Sequence, residues 1–147
     1  MDEYPLLLRR ILGAHSIRAS IEQHGYQHLL IVPQKRLYRL PSGPAPGLYP
    51  KKFILVVEEI HVIPDEGTYS LWKSDFITKE RLHAVYKVIN ACGLIDSVYP
   101  DNIPITFENL IAFIDTEHFH SWPVPYHKLS HFLAKKQRVY WTSLYIK

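Results

Sequence analysis

The chain is poor in the residues that announce a specialised chemistry or compartment. Its single cysteine, Cys92, excludes an internal disulfide, and no C-x-x-C is present. Cys92 ends an apolar helical pattern, which marks a buried thiol. No run of ~18 uncharged apolar residues exists, and the start, Met1-Asp-Glu-Tyr-Pro5, lacks the basic residues and apolar core of a secretory signal. The expected setting is intracellular and cytoplasmic, without a membrane. Only six glycines occur, none in a G-x-G-x-x-G, so a glycine-rich phosphate loop is not encoded. H-E-x-x-H and G-x-S-x-G are missing too. Charge of one sign is scarce: the formal net charge is +3, and the basic residues cluster only at Lys135, Lys136 and Arg138, a pattern of solvated helix surface. Nothing calls for a nucleic-acid partner.

What is present suffices for one packed unit over residues 1–147, since 47% of the residues are hydrophobic and 13% aromatic. Leu7, Ile11, Ala14, Ile17 and Ile21 recur at helical spacing before Gly25, predicting a helix over 5–23. The runs 28–32 and 36–40 are strand-like around Pro33-Gln-Lys35, as a hairpin or a bent strand. Pro41 to Pro50 reads as an exposed loop, because its prolines and glycines exclude helix and most sheet positions. Phe53-Ile-Leu-Val-Val-Glu-Glu-Ile60 is almost continuously apolar, the pattern of a strand covered on both faces, and it carries Glu58 and Glu59 towards its end. Thr78 can cap a helix whose Leu82, Val85, Ile89 and Cys92 share a face, and Gly93 can end it. A hairpin is expected from 103–106 and 110–115 around Phe107-Glu-Asn109, and a helix from about 126 to 145 with Leu129, Phe132, Leu133, Lys136 and Tyr140 on one side. The fold class is α+β, a small antiparallel sheet with packed helices.

The chemistry concentrates in Gly93-Leu-Ile-Asp-Ser-Val-Tyr-Pro-Asp-Asn102 and in Ile111-Ala-Phe-Ile-Asp115-Thr-Glu117. A helix ending in glycine, a polar loop ending Pro-Asp-Asn, and an apolar strand delivering Asp115 resemble the middle of the protein-kinase-like fold, over about residues 7–118. The resemblance implies that Asn102 and Asp115 hold Mg²⁺ of bound ATP, that Glu58 or Glu59 sits at a hinge beside the adenine, and that Glu22 is the helix carboxylate paired with an ATP-binding lysine.

Departures from that family pattern limit the chemistry. Five residues before Asn102, at the family's base position, stands Ser97, whose hydroxyl is no base at neutral pH; Asp96 fits with a one-residue insertion. Ile95 and Asp96 replace the family's His-Arg, and Thr116-Glu117 its Phe-Gly. With few residues before the first helix and no Ala-Pro-Glu after Asp115, neither a strand lysine nor a full C-terminal lobe is expected. The expectation is a pseudokinase-like domain or a fragment of one, catalytically silent, with a residual metal-nucleotide site. Two alternatives stand beside it. Asp115, Glu117, His118 and His120 offer ligands for a metal-dependent hydrolase or nuclease. Asp101 and Asn102 can equally be turn formers, and Glu117 an edge cap, in a module that only binds a partner. The aromatic-rich stretches Trp122–Tyr126 and Tyr140–Tyr145, with an open sheet edge, would favour a homodimer or a protein partner.

Overall fold

A computed structural model describes residues 4–40 and 52–146, so the Pro/Gly-rich loop expected at 41–50 lies outside the described residues. Helix α1 (Tyr4–His24) buries Gly13, Ala14, Ile17, Ser20 and Ile21, the single stripe that its spacing demands. Gly25 ends it at φ 71°, a left-handed conformation natural to glycine. Strands β1 (Leu30–Ile31), β2 (Lys35–Arg39) and β3 (Phe53–Val57) follow, then helices α2 (Asp65–Trp72) and α3 (Lys79–Cys92), strand β4 (Ile111–Ala112) and helix α4 (Lys135–Tyr145). Among the described residues, no helix is long and apolar enough to cross a membrane.

The architecture is α+β, but the sheet differs from the expected antiparallel one. Two separate two-stranded sheets form: β1 pairs parallel with β4, and β2 pairs antiparallel with β3. The segments 28–32 and 36–40 therefore do not form a hairpin with each other; Pro33 lies at the bend that passes the chain from one sheet to the next. The run 53–60 ends as a strand at Val57 and is not covered on both faces, since Ile54, Val56 and Val57 are exposed. With only β2 as a neighbour, nothing among the described residues covers its outer side. The hairpin expected at 103–115 is short. It closes through the bridge between Ile105 and Ile111 and the 2.8 Å bond from Thr106 N to Leu110 O, with Asn109 at φ 68° in the turn.

Helix α3 matches its sequence code. Thr78 accepts the Arg81 N–H, Leu82, Val85, Ile89 and Cys92 are buried on one face, and Gly93 closes the helix at φ 62°. Helix α2 has no counterpart in the sequence reading, because eight residues containing Gly67 and no side-chain cap give too little local signal. Its Trp72 is fully buried and donates Nε1–H to the Ile103 carbonyl, tying α2 to the segment that follows Asn102. The expected helix at 126–145 is broken into a 3-10 segment (Tyr126–Phe132) and α4, with Leu133 extended between them. That break shifts the helical phase, so Gln137 and Trp141 are buried while Lys136 is exposed. Most of the described aromatic residues lie in the core or half-buried against it, with Trp141 buried against Tyr86 and Tyr126, while Trp122 is exposed.

One close approach fixes how α1 lies on this framework. A Cβ at Gly13 would collide with the Thr116 carbonyl oxygen, a backbone atom that cannot swing away. The same crossing is bonded on both sides: Thr116 Oγ1 donates to the Arg10 carbonyl at 2.7 Å, and Arg9 Nε donates to the Glu117 carbonyl at 3.1 Å. Gly13→Ala should therefore destabilise the fold by about 3 kcal/mol, at the high end for an overpacked core, although alanine is the better helix former. Chemical denaturation reads this directly, and an alanine variant as stable as the parent would refute the crossing.

Candidate functional site

Two folded-back segments make the site. The first is the turn from Gly93 to Asn102. Ser97 N donates to the Leu94 carbonyl at 3.2 Å, and Asn102 Nδ2 reaches back to the Asp96 carbonyl at 2.8 Å, so the asparagine side chain closes the loop carrying Asp96. Asn102 also receives the Ile114 N–H on its own carbonyl at 3.3 Å. The second segment continues from β4. Ile111 N and Phe113 N donate to the Leu29 and Ile31 carbonyls at 2.9 Å each, which fixes the strand register and with it the placement of Asp115. Beyond Asp115, His120 N and Ser121 N donate to the Cys92 and Gly93 carbonyls at 2.7 and 2.9 Å, returning the chain to the end of α3. A side chain at Gly93 would strike Ser121 N, so glycine serves this junction as well as the helix cap.

Donor atoms of Asp96, Asp115 and His118 lie within 4.8 Å of one another. Two donors on opposite sides of a divalent ion stand about 4 to 5 Å apart, so a small contraction suffices to hold one. His118 Nε2 is 3.6 Å from Asp96 Oδ2 and 3.8 Å from Glu117 Oε1. Burial pushes the Asp115 carboxyl above its ordinary 3.8; His118 opposes the shift, and the Asp96 and Glu117 carboxylates add to it. A carboxylate disfavoured by desolvation and by like charge gains from an arriving cation.

Beside this group opens a cleft of about 540 Å³. Leu55, Val57, Ile60 and Val62 give it an apolar wall, and Arg10, Lys35, Asn102, Asp115 and Glu117 line the polar side. Lys35 is buried, with Nζ donating to the Ile114 carbonyl at 3.1 Å and to Thr116 Oγ1 at 2.6 Å, the residues on either side of Asp115. Burial lowers its pKa from 10.5, Arg10 lowers it further, and Asp115 and Glu117 act in the opposite sense.

The sequence candidates fall as follows. Asn102, Asp115 and Glu58 line one cleft, and Glu58 Oε1 accepts the Gln34 N–H at 3.0 Å. Glu59 is exposed and does not line that cleft. Glu22 lies on an exposed part of α1 over a different groove, with Arg18 and Gln27; α1 turns Arg10 towards the cleft instead. Ser97 is buried at 1% exposure, whereas Asp96, its neighbour, joins the three-residue group. Glu117, expected on the face of Asp115, lines the same cleft and pairs with Arg10 at 3.6 Å, outside the three-residue group. His120, at φ 53°, stacks on Trp122 and takes no part in the group. Lys35, assigned by its sequence to the Pro33-Gln-Lys35 connection, opens β2, and its burial distinguishes it from the exposed Arg36 and Arg39. No protein-family model, curated protein or solved structure matches this chain.

Asp115→Asn should raise the melting temperature of the metal-free protein at neutral pH. The folded state keeps the Asp115 proton to higher pH than the unfolded chain, so this group's stability cost grows as pH rises from 3.8 through the raised folded value and persists above it. The advantage of the neutral amide should accordingly vanish on acidification below 3.8. Melting curves of both proteins across pH check this, and a variant melting lower at pH 7 would contradict the desolvation account.

Proposed function

We propose that the cleft binds a divalent cation together with a phosphate-bearing ligand, as a kinase-like domain in which binding has outlasted phosphotransfer. The observation that carries this reading is the mutual approach of Asp96, Asp115 and His118 within 4.8 Å, with Asp115 also lining a cleft that has both apolar and polar residues. Asn102 supports it: its Nδ2 is spent on the Asp96 carbonyl, and its Oδ1 takes no protein hydrogen bond among the described residues, leaving an oxygen donor on the cleft. Two carboxylates with one imidazole suit Mn²⁺ or Zn²⁺, while oxygen-only sets suit Mg²⁺. Turnover is not expected. Asp96 in a metal's coordination sphere cannot also serve as the base for an incoming hydroxyl, Ser97 is buried, and the sequence has no glycine-rich loop to position phosphates.

A second reading draws on the same group. Three protein donors leave coordination positions open for a water, as in a metal-dependent hydrolase, with Asp96 in the place first given to Glu117. Steady release of phosphate from a simple ester by the Mn²⁺-loaded protein would favour hydrolysis over binding.

Calorimetric titration with Mn²⁺ tests the proposal in the parent and in Asp96→Asn, Asp115→Asn and His118→Ala. The expected result is one saturable site, weakened at least about tenfold by each substitution, the loss that even outer-sphere partners cause. No saturable site, or three variants that bind like the parent, would overturn it.

A further inference from the structure

Lys35 poses an electrostatic problem that its protein neighbours do not solve. The residue is only 6% exposed, and a lysine so placed is ordinarily paired with a carboxylate. Among the described residues, no carboxylate lies within 4.0 Å of it. Its two bonds go to neutral oxygens, the Ile114 carbonyl and Thr116 Oγ1, and an ammonium has three protons to give. A second cation stands on the same wall: Arg10 lines the cleft with Lys35, and its only ion pair is the 3.6 Å contact to Glu117. Two cations thus share one wall, and the buried one has no carboxylate in direct contact, with Asp115 and Glu117 acting on it only at longer range. An anion entering the cleft would give Lys35 the direct counter-ion it lacks and Arg10 a second one beside Glu117.

We propose that Lys35 and Arg10 form an anion-binding wall that takes an oligophosphate, whose far oxygens are chelated by the cation at Asp115. The inference rests on the reading of this cleft as a cation site and adds the residues that grip the ligand. The placement is specific, because Lys35 Nζ bonds to the residues immediately before and after Asp115. Charge-assisted bonds from the ammonium reach one phosphate, and the guanidinium, which can give two parallel N–H donors, reaches the next. Lys35 is a binding residue in this account, and its strut role towards Thr116 is separable from it by measurement.

Sodium tripolyphosphate is the probe, titrated into the full chain in chelator-treated buffer and again as the preformed Mn²⁺ complex. Lys35→Met should weaken binding in both arms by about tenfold or more, and Arg10→Gln by a few-fold, as expected for loss of charge-assisted contacts. Lys35→Arg should recover part of the affinity. A purely structural lysine would change the melting temperature of Lys35→Met and leave tripolyphosphate affinity untouched, which would overturn the proposal, as would a parent protein that binds no tripolyphosphate in either arm. Should Lys35→Met fail to fold, the partly exposed Arg10→Gln carries the same test, and unaltered affinity there overturns the two-residue wall. If the parent shows no Mn²⁺ site but binds metal-free tripolyphosphate in a Lys35-dependent way, the cation reading fails and the anion wall stands. ATP in place of tripolyphosphate separates the sources: tighter binding by ATP, still lost in Lys35→Met, identifies a nucleotide, and equal binding identifies a free oligophosphate.

Discussion

The packing of α1 against the backbone at Thr116 is the contact on which the rest of the structure depends. It brings a helix to van der Waals distance of a main-chain carbonyl, and only the missing side chain at Gly13 permits it. Arg9, Arg10 and Gly13 together fix residues 116–119: two through hydrogen bonds, one through shape, with the Arg9 guanidinium also lying 4.4 Å over the Phe119 ring. The segment so fixed carries Asp115 at one end and His118 within it. Asp96 arrives from the other direction, through the loop that Asn102 closes. The three donors come together only when the helix crossing, the β1–β4 register and the loop closure all hold.

This arrangement sets charges where water compensates them only in part. A carboxylate raised by burial and a lysine lowered by burial occupy one cleft without forming a direct pair. Lys35 is held by bonds to the residues on either side of Asp115, and each group would be relieved by a ligand of opposite sign. A fold selected for stability alone would place apolar side chains here, since isosteric hydrophobic packing rivals or exceeds a buried ion arrangement. Charged groups gather at this cleft, while the core of α1, α3 and the 103–113 hairpin is mainly apolar, and the proposed binding role would account for that contrast.

Legibility in the sequence followed the range of the interactions involved. The end of α3 was readable at Thr78 and Gly93 because capping is written within four residues. The α1 stripe and the Asn109 turn were readable for the same reason. The apolar run 53–57 misled because periodicity reports what a strand could bury, and whether a neighbour covers it is decided elsewhere in the chain. The phase of α4 was lost at Leu133 and Ala134, where two extended residues rotate everything after them. At the site, Asn102 and Asp115 stood out through their spacing within a loop and strand, whereas Asp96 joined the group through a fold-back that spacing counted as one residue out of register. Lys35 was invisible, since nothing local separates a buried lysine in a strand from the exposed arginines beside it.

The cation site is the centre of this account, and anomalous scattering from crystals grown with Mn²⁺ tests it most directly. The account predicts a single strong peak bounded by the Asp96, Asp115 and His118 side chains, with Lys35 facing it across the cleft and not ligating. A peak elsewhere on the molecule, or none at Mn²⁺ concentrations that saturate the calorimetric site, would contradict it.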